Sequence, residues 1–402
     1  MKVLMISPYG DIAANYGVGV ATQMIAQHLA NKCELTVVSP SEASSEVKHA
    51  TIEKVMIKSG EHLTNEKAVQ ADIVHVKVQS PLSTYVYTTQ QETKGEKSRS
   101  TPQPEIDIQK ELAHFTETAV EQLSKLEYDV IYAHDWLSID IALQLQAQFN
   151  KAFVLHIHSL DYDRSGKNSG SWLYKKEKEA MEKANKVLAV SEYHAAIMKS
   201  YYQIPENKIV TIPLALSPIK AKTYTSPFSE KLVLFSGRLS HQKGIFKFID
   251  IAESLLETEK DLRFIVAGAG ELSEEAVSRV QEKGLINHFN FVGRISQEEL
   301  QGLMKSSELF VMPSISEPFG LVAMEAAAQA LPIVMSKNTG AAEVLKGAYI
   351  PKEESVSSYV NQIKKVLSNK EKVAEAIKKN KQAAKDSSWE TVAEAIYQSL
   401  SN

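Results

Sequence analysis

Apolar runs and polar turns alternate along this chain in one recurring order. A short continuous apolar stretch leads to a polar or glycine-bearing loop, then to a longer segment with apolar positions at helical spacing. Residues 2–7, KVLMIS, open the series, followed by the loop PYGDIAANYGVG, the helical VATQMIAQHLA and a second apolar run, ELTVVS, at 34–39. Unbroken apolar runs bounded by turns read as buried strands, and strand–loop–helix–strand is a βαβ unit with a parallel sheet. Residues 40–110 are polar and irregular, with strand-like VMIK, DIVHVKV and TYVYT embedded. Within them QETKGEKSRSTPQPE reads either as an acceptor-side loop or as a disordered excursion. A helix is predicted over 107–126, then strands DVIYAH and FVLHIHS, a Lys- and Glu-rich helix over 171–184, the strand KVLAVS and a helix capped by Ser191.

After the strand KIVTIP, residues 217–229 hold Pro218 and Pro227 in a polar setting and read as a linker. The pattern then restarts with the strand KLVLFSG, the loop RLSHQKG and the helix IFKFIDIAESLL, followed by the strands RFIVAGAG and NFVGRIS. The expected fold is α/β: two facing Rossmann-like domains with a cleft between them, residues 1–213 and 230–387, joined by a linker at 214–229. Lysines at helical spacing predict one basic helix over 362–385, where Glu371 and Glu375 favour a solvated face over a membrane-bound one. A final helix, 388–402, begins at Ser388-Trp389-Glu390.

Composition narrows the class. At 402 residues, 44% hydrophobic and 23% charged, the chain is long enough for two cores. A net charge of −4 gives no electrostatic case for nucleic acid. The single cysteine, Cys33, rules out an internal disulfide and fits a reducing cytoplasm. No apolar run approaches the ~20 residues of a membrane span, and Lys2 with VLMIS is too short for a signal core before Pro8-Tyr9-Gly10 breaks it. The expected location is cytoplasmic, with membrane contact at most peripheral; a homo-oligomer is compatible with the sequence.

Candidate chemistry concentrates in residues 314–332, SISEPFGLVAMEAAAQALP. The apolar strand before it, the turn Glu317-Pro318-Phe319-Gly320 and a helix ending near Ala330 place Glu317 at a helix N-terminus. The amides of Phe319, Gly320 and Leu321 lie there too, and such an end binds anions. Glu325 lies roughly 7–8 Å further along the axis. That is about the separation of a diphosphate from its ribose, whose hydroxyls would partner a carboxylate; a solvent-facing or lysine-paired Glu325 is the alternative. In Gly237-Arg238-Leu239-Ser240-His241-Gln242-Lys243-Gly244, between a strand and a helix, Arg238 and Lys243 read as a phosphate grip, although the loop is no P-loop.

On the N-terminal half, Gly17 and Gly19 at a helix entrance suit close approach of a ligand or of the other domain, or simply tight packing. Asp135, at the end of its strand in His134-Asp135-Trp136, is a ligand-side carboxylate or a helix cap. His156 and His158 share a strand face, but two ligands do not complete a zinc site, and no metal is expected.

The spacing of Glu317 and Glu325 around Phe319-Gly320-Leu321 closely resembles the Glu-x7-Glu signature of retaining glycosyltransferases of family 4, the glycogen synthase and sucrose synthase group with the GT-B fold. The GRLSHQKG loop resembles that family's diphosphate loop, His134-Asp135-Trp136 resembles the run in glycogen and starch synthases, and His158-Ser159 with LDYDRSG is also similar. Two places depart from the pattern. Tyr16 stands in Asn15-Tyr16-Gly17 where the family has adjacent glycines, and Pro213-Leu214-Ala215-Leu216-Ser217 replaces Pro-Asn-Gly-Val-Asp.

The resemblance implies a metal-independent transfer of a hexosyl group, with a lean toward glucosyl, from a nucleoside-diphosphate sugar to a sugar or glycan hydroxyl. The nucleotide-sugar is a co-substrate and no cofactor is implied. By the same resemblance Arg238 and Lys243 hold the diphosphate, Glu317 the donor-sugar hydroxyls and Glu325 the ribose. Phe319, Gly320 and Leu321 contact sugar and phosphate, and Gly17, Gly19, Gly237 and Arg294 line the donor site. His158 lies beside the sugar and Asp135 has a functional role, with Asp161 and Arg164 secondary and His156 structural. The final helix is implied to cross back onto the N-terminal domain, with Trp389 as its anchor. A non-catalytic glycosyltransferase-like partner protein, a sugar phosphorylase and a sugar-nucleotide epimerase are the alternatives.

Overall fold

The structure, a computed structural model, describes residues 1–7, 17–41, 51–53, 56–58, 70–79, 108–217 and 221–401. The TYVYT run, the QETKGEKSRSTPQPE segment and Tyr16 lie outside the described residues. The first sheet contains β1 (Lys2–Ile6), β2 (Glu34–Ser41), β3 (Thr51–Glu53), β4 (Met56–Lys58) and β5 (Gln70–Gln79), then β6 (Val130–His134), β7 (Ala152–Ile157), β8 (Lys186–Ala189) and β9 (Ile209–Thr211). Its order is β3-β5-β2-β1-β6-β7-β8-β9, with β4 also on β5. β3 and β4 pair antiparallel to β5, and the other pairings are parallel.

The second sheet is fully parallel: β10 (Lys231–Ser236), β11 (Leu262–Ala267), β12 (Phe289–Gly293), β13 (Leu309–Met312) and β14 (Ile333–Met335), in the order β12-β11-β10-β13-β14. Strands such as β6 and β13 are buried along their whole length, which is why they read as unbroken apolar runs.

In each sheet the chain moves outward on one side, then returns to the middle and builds the other side. The reversal falls between β1 and β6 in the first sheet and between β10 and β13 in the second. Loops diverge at such a reversal and leave a crevice at the strands' carboxyl ends. The loops after β10 and β13 hold Arg238–Gly244 and Pro313–Gly320, and β6 ends at His134-Asp135. Both sets of candidate residues therefore occupy switch points.

The last helix, Trp389–Ser401, packs on the helix Gly17–Leu29 of the first half. Lys32 pairs with Glu390 at 2.6 Å and Glu394 at 2.9 Å, and buried Trp389 donates to the Ser217 hydroxyl at 3.0 Å. Trp389 and Ile396 join one apolar cluster containing Val3 of β1 and Leu234 of β10, so the core is continuous between the two halves.

The basic segment differs from its expected form. It is two helices, Val356–Ser368 and Lys370–Asp386, broken at Asn369. Asn369 leaves helical geometry, and its side chain accepts from the Lys372 amide at 3.1 Å, capping the second helix. Among the described residues no helix is long and apolar enough to cross a membrane.

Candidate functional site

The turn after β13 is buried: Ser314, Ser316, Glu317 and Phe319 are all shielded from solvent. Main-chain bonds fix it against the segment after β14, with Glu317 N–H donating to Asn338 O at 2.9 Å and Gly340 N–H to Glu317 O at 3.0 Å. Gly320 caps the helix Leu321–Ala328 at φ 101°, a left-handed geometry that favours glycine. A Cβ there would come within 3.2 Å of Glu317 Cγ and Met312 Cε. The helix ends at Ala328, two residues before the expected Ala330, which turns away at φ 61°.

The Arg238–Gly244 loop lies directly on this turn. Gly244 sits at φ 73°, and a Cβ on it would fall 2.3 Å from Pro313 O, so no side chain fits between the two loops. Ile315 N–H donates to Gln242 O at 2.8 Å, and Gln242 Nε2 donates to Ser316 O at 3.1 Å. The contact brings Lys243 Nζ to 2.5 Å from Glu317 Oε2, which also accepts from Ser314 Oγ at 3.3 Å. Arg238 Nε and Nη2 each lie 2.9 Å from Glu271 Oε2. Both cations of the phosphate grip thus carry a carboxylate partner.

Gly237 follows β10 at φ 150° with the Lys243 stem passing over it, and Arg294 stands exposed just beyond β12. Glu325 lies on the helix after the turn, partly buried. Its nearest donor is Gln301 Nε2 at 3.4 Å, and loss of water pushes its carboxyl up to about 7.

On the opposite domain, Asp135 is buried and sits at φ 52°. Its Oδ1 accepts from the amides of His158 at 2.7 Å and Ser159 at 3.2 Å, tying the ends of β6 and β7 together. Rather than standing apart, His158 Nε2 lies 3.0 Å from His134 Nδ1, and His156 Nδ1 lies 2.7 Å from the Tyr132 hydroxyl. β6–β7 register sets His134 beside His156, so three histidines share one pocket where the linear reading counted two. Their nitrogens lie within 4.8 Å of one another, the one such group among the described residues with metal-ligand spacing. Burial holds all three below the usual histidine range, His134 and His156 well below, so at neutral pH they are uncharged hydrogen-bonding groups.

Arg164 turns inward to Ser159 Oγ at 3.0 Å and to Glu177 at 3.2 Å, and Glu177 also accepts from the Asp161 amide and the Tyr202 hydroxyl. Arg164 and the Asp161 backbone therefore hold the loop itself. Gly17 is the first residue of its helix and Gly19 is buried in it.

Linear reading missed a polar chain between the domains. Ser316 Oγ donates to Asp163 Oδ1 at 2.5 Å and meets the Tyr193 hydroxyl at 2.9 Å, while Asp163 Oδ2 accepts from the Leu160 amide at 2.8 Å and faces His194 Nε2 at 3.3 Å. Nearby, Ser191 Oγ donates to Pro318 O at 2.5 Å, and Glu343 accepts from the amides of Glu192 at 2.8 Å and Tyr193 at 2.6 Å at a helix N-terminus. The one available signal was Asp163 within LDYDRSG; its partner lies 153 residues away. Because Ser316 adjoins Glu317, Asp163→Asn should shift the turn as well as loosen the interface. The expected cost is about 1–3 kcal/mol, from a buried polar group left poorly paired. Thermal unfolding together with KM and kcat checks this, and an unchanged Tm with unchanged kinetics would contradict it.

Residues 16–218 match the family described as Glycosyltransferase Family 4, and residues 219–383 match Glycosyl transferases group 1. An uncharacterized glycosyltransferase of Methanocaldococcus jannaschii is 28% identical over 236 residues, covering 55% of this chain and 60% of that protein. A glycogen synthase of Mycobacterium tuberculosis is 27% identical over 228 residues, 54% of each chain. This chain thus spans little more than half the length of either relative. A solved Escherichia coli trehalose-6-phosphate structure bound with UDP-2-fluoro glucose superposes with a TM-score of 0.74 at 12% identity, covering 100% of this chain and 99% of that one. Its likeness extends over both sheets, which makes the architecture GT-B. With the family match running through both halves, the chain belongs to glycosyltransferase family 4.

Proposed function

We propose that the chain is a metal-independent, retaining glycosyltransferase that moves a hexosyl group, with glucosyl favoured, from a nucleoside-diphosphate sugar to a sugar or glycan hydroxyl. The observation that carries this reading is the pairing of Lys243 with Glu317, on the loop that also carries Arg238, at the switch point of the second sheet and beside a helix N-terminus.

Transfer makes two electrostatic demands, because the leaving diphosphate gains negative charge while the sugar ring becomes cation-like. Arg238, Lys243 and the amides of Phe319, Gly320 and Leu321 answer the first from a partly closed cleft, where fixed charges act strongly. Two cations there leave no step that calls for a divalent metal. Glu317, behind Lys243, accepts from donor-sugar hydroxyls, and Glu325 accepts from the ribose. His158, neutral and fixed through its own amide by Asp135, faces the sugar as a hydrogen-bonding wall. In this reading neither glutamate is a nucleophile; the acceptor attacks on the leaving-group side, and the departing phosphate takes its proton. The glucosyl lean rests on His134-Asp135-Trp136 and on relatives named as a glycogen synthase and a structure bound with UDP-2-fluoro glucose.

The test is nucleotide release from UDP-, ADP- and GDP-sugars with a broad acceptor mixture, run beside Glu317→Ala. Release from one donor, abolished in the variant, is expected. No release from any donor would move the reading to a non-catalytic partner protein, and phosphate-dependent turnover to a phosphorylase.

A further inference from the structure

Glu271 is the partner of Arg238 and has no place in the mechanism above. It follows β11 on the loop Gly268-Ala269-Gly270-Glu271, which is laced to the Arg238 loop by main-chain bonds. Leu239 N–H donates to Ala269 O at 3.3 Å, and Leu272 N–H donates to Leu239 O at 3.1 Å. The two side chains are thereby held face to face independently of any ligand.

Their pairing is lopsided. Arg238 Nε and Nη2 both reach a single oxygen, Glu271 Oε2, at 2.9 Å. The other oxygen, Oε1, is buried with no hydrogen-bond partner among the described residues, and the side chain is only 10% exposed. A buried carboxylate oxygen without a donor weakens the pair that holds it. A phosphate offers the same guanidinium two oxygens in a matching fork. The structure therefore sets an internal anion where the diphosphate is read to bind, in an arrangement poorer than the one a diphosphate would make.

Resting on the functional reading above, we infer that Glu271 is a specificity-determining counter-anion, which the diphosphate must displace from Arg238 and which favours release of the product. Whether its carboxylate swings away or stays close, its charge opposes the incoming phosphates. The opposition is greater for the product nucleoside diphosphate than for the donor, because the product carries an additional ionised oxygen. Glu271 thus lowers product retention more than donor binding.

Calorimetric titration of the full chain with UDP, ADP and GDP tests this in wild type, Glu271→Gln and Glu271→Ala. For whichever nucleotide binds wild type, both variants are expected to lower Kd roughly tenfold at low salt, with the gain shrinking as ionic strength screens the charge. In product-inhibition kinetics Ki should fall more than donor KM. In an Arg238→Ala background the Glu271 substitutions should lose most of their effect on Kd. Unchanged or weaker binding in both Glu271 variants overturns the proposal and would make the carboxylate a support for the guanidinium. If none of the three nucleotides binds wild type, the functional reading itself fails and takes the proposal with it.

Discussion

Lys243→Ala is expected to lower nucleotide-sugar turnover by about 10²–10³-fold, the range for removing one preorganised group from a developing negative charge. Two effects combine. The leaving diphosphate loses a point charge that Arg238, itself paired with Glu271, cannot replace. Glu317 also loses its 2.5 Å partner and, among the described residues, keeps only Ser314 Oγ at 3.3 Å, which leaves an uncompensated carboxylate beside the incoming donor. Donor binding and the chemical step should both suffer, with kcat/KM falling more than kcat. Stability should fall as well, because the buried Glu317 carboxylate is left without its cation, although Lys243 itself reaches solvent and its stem packs on Gly237 rather than in a core. Lys243→Arg should recover only part of the loss, a planar fork being a poor substitute for a compact ammonium pressed against one oxygen. Steady-state release assays with a thermal melt of each variant decide this. Activity within threefold of wild type, in a protein that is folded at the assay temperature, would remove Lys243 from the site.

Why those residues were legible in the chain, and others were not, is a matter of range. The Glu317–Glu325 spacing spans one turn and part of one helix, so local geometry sets it and the linear order preserves it. Arg238 and Lys243 share one loop for the same reason. Parallel strands buried on both faces announce themselves as unbroken apolar runs, which made the repeated strand–loop–helix order readable. Contacts made by folding leave no such trace. His134 meets His156 only through β6–β7 register, Asp163 reaches Ser316 only across the cleft, and Glu271 meets Arg238 only because β10 and β11 are neighbours. At Asn369 the lysine periodicity continued through a residue whose side chain prefers to cap, and the cap won.

Nucleotide affinity is expected to depend on pH through Glu325, weakening about tenfold per unit as pH falls below about 7. In the free protein this carboxyl is pushed up to about 7 by its withdrawal from water, with Gln301 at 3.4 Å as its only side-chain donor among the described residues. Ribose hydroxyls placed against it would donate to the carboxylate and pull the bound-state value down. Binding then expels a proton near neutrality, so acid opposes it and alkali above about pH 8 has no further effect. Titrations in buffers of different ionisation enthalpy should reveal the released proton, and Glu325→Gln should bind more weakly at pH 8 with a flat profile. Folding carries the opposite sign. Since the folded value lies above the ordinary 4.5, the folded state holds the extra proton in that window, and this group's contribution is complete below about 4.5 and lost as pH rises through about 7. The ionised side chain therefore strains the free protein at pH 8, and Glu325→Gln should raise its stability there by at most about 3 kcal/mol. A substitution that firms the fold while loosening the ligand is the mark of a residue kept for binding, whereas a solvent-facing or lysine-paired glutamate would show neither change. A Kd that stays constant between pH 6 and 8 would return Glu325 to that plainer role.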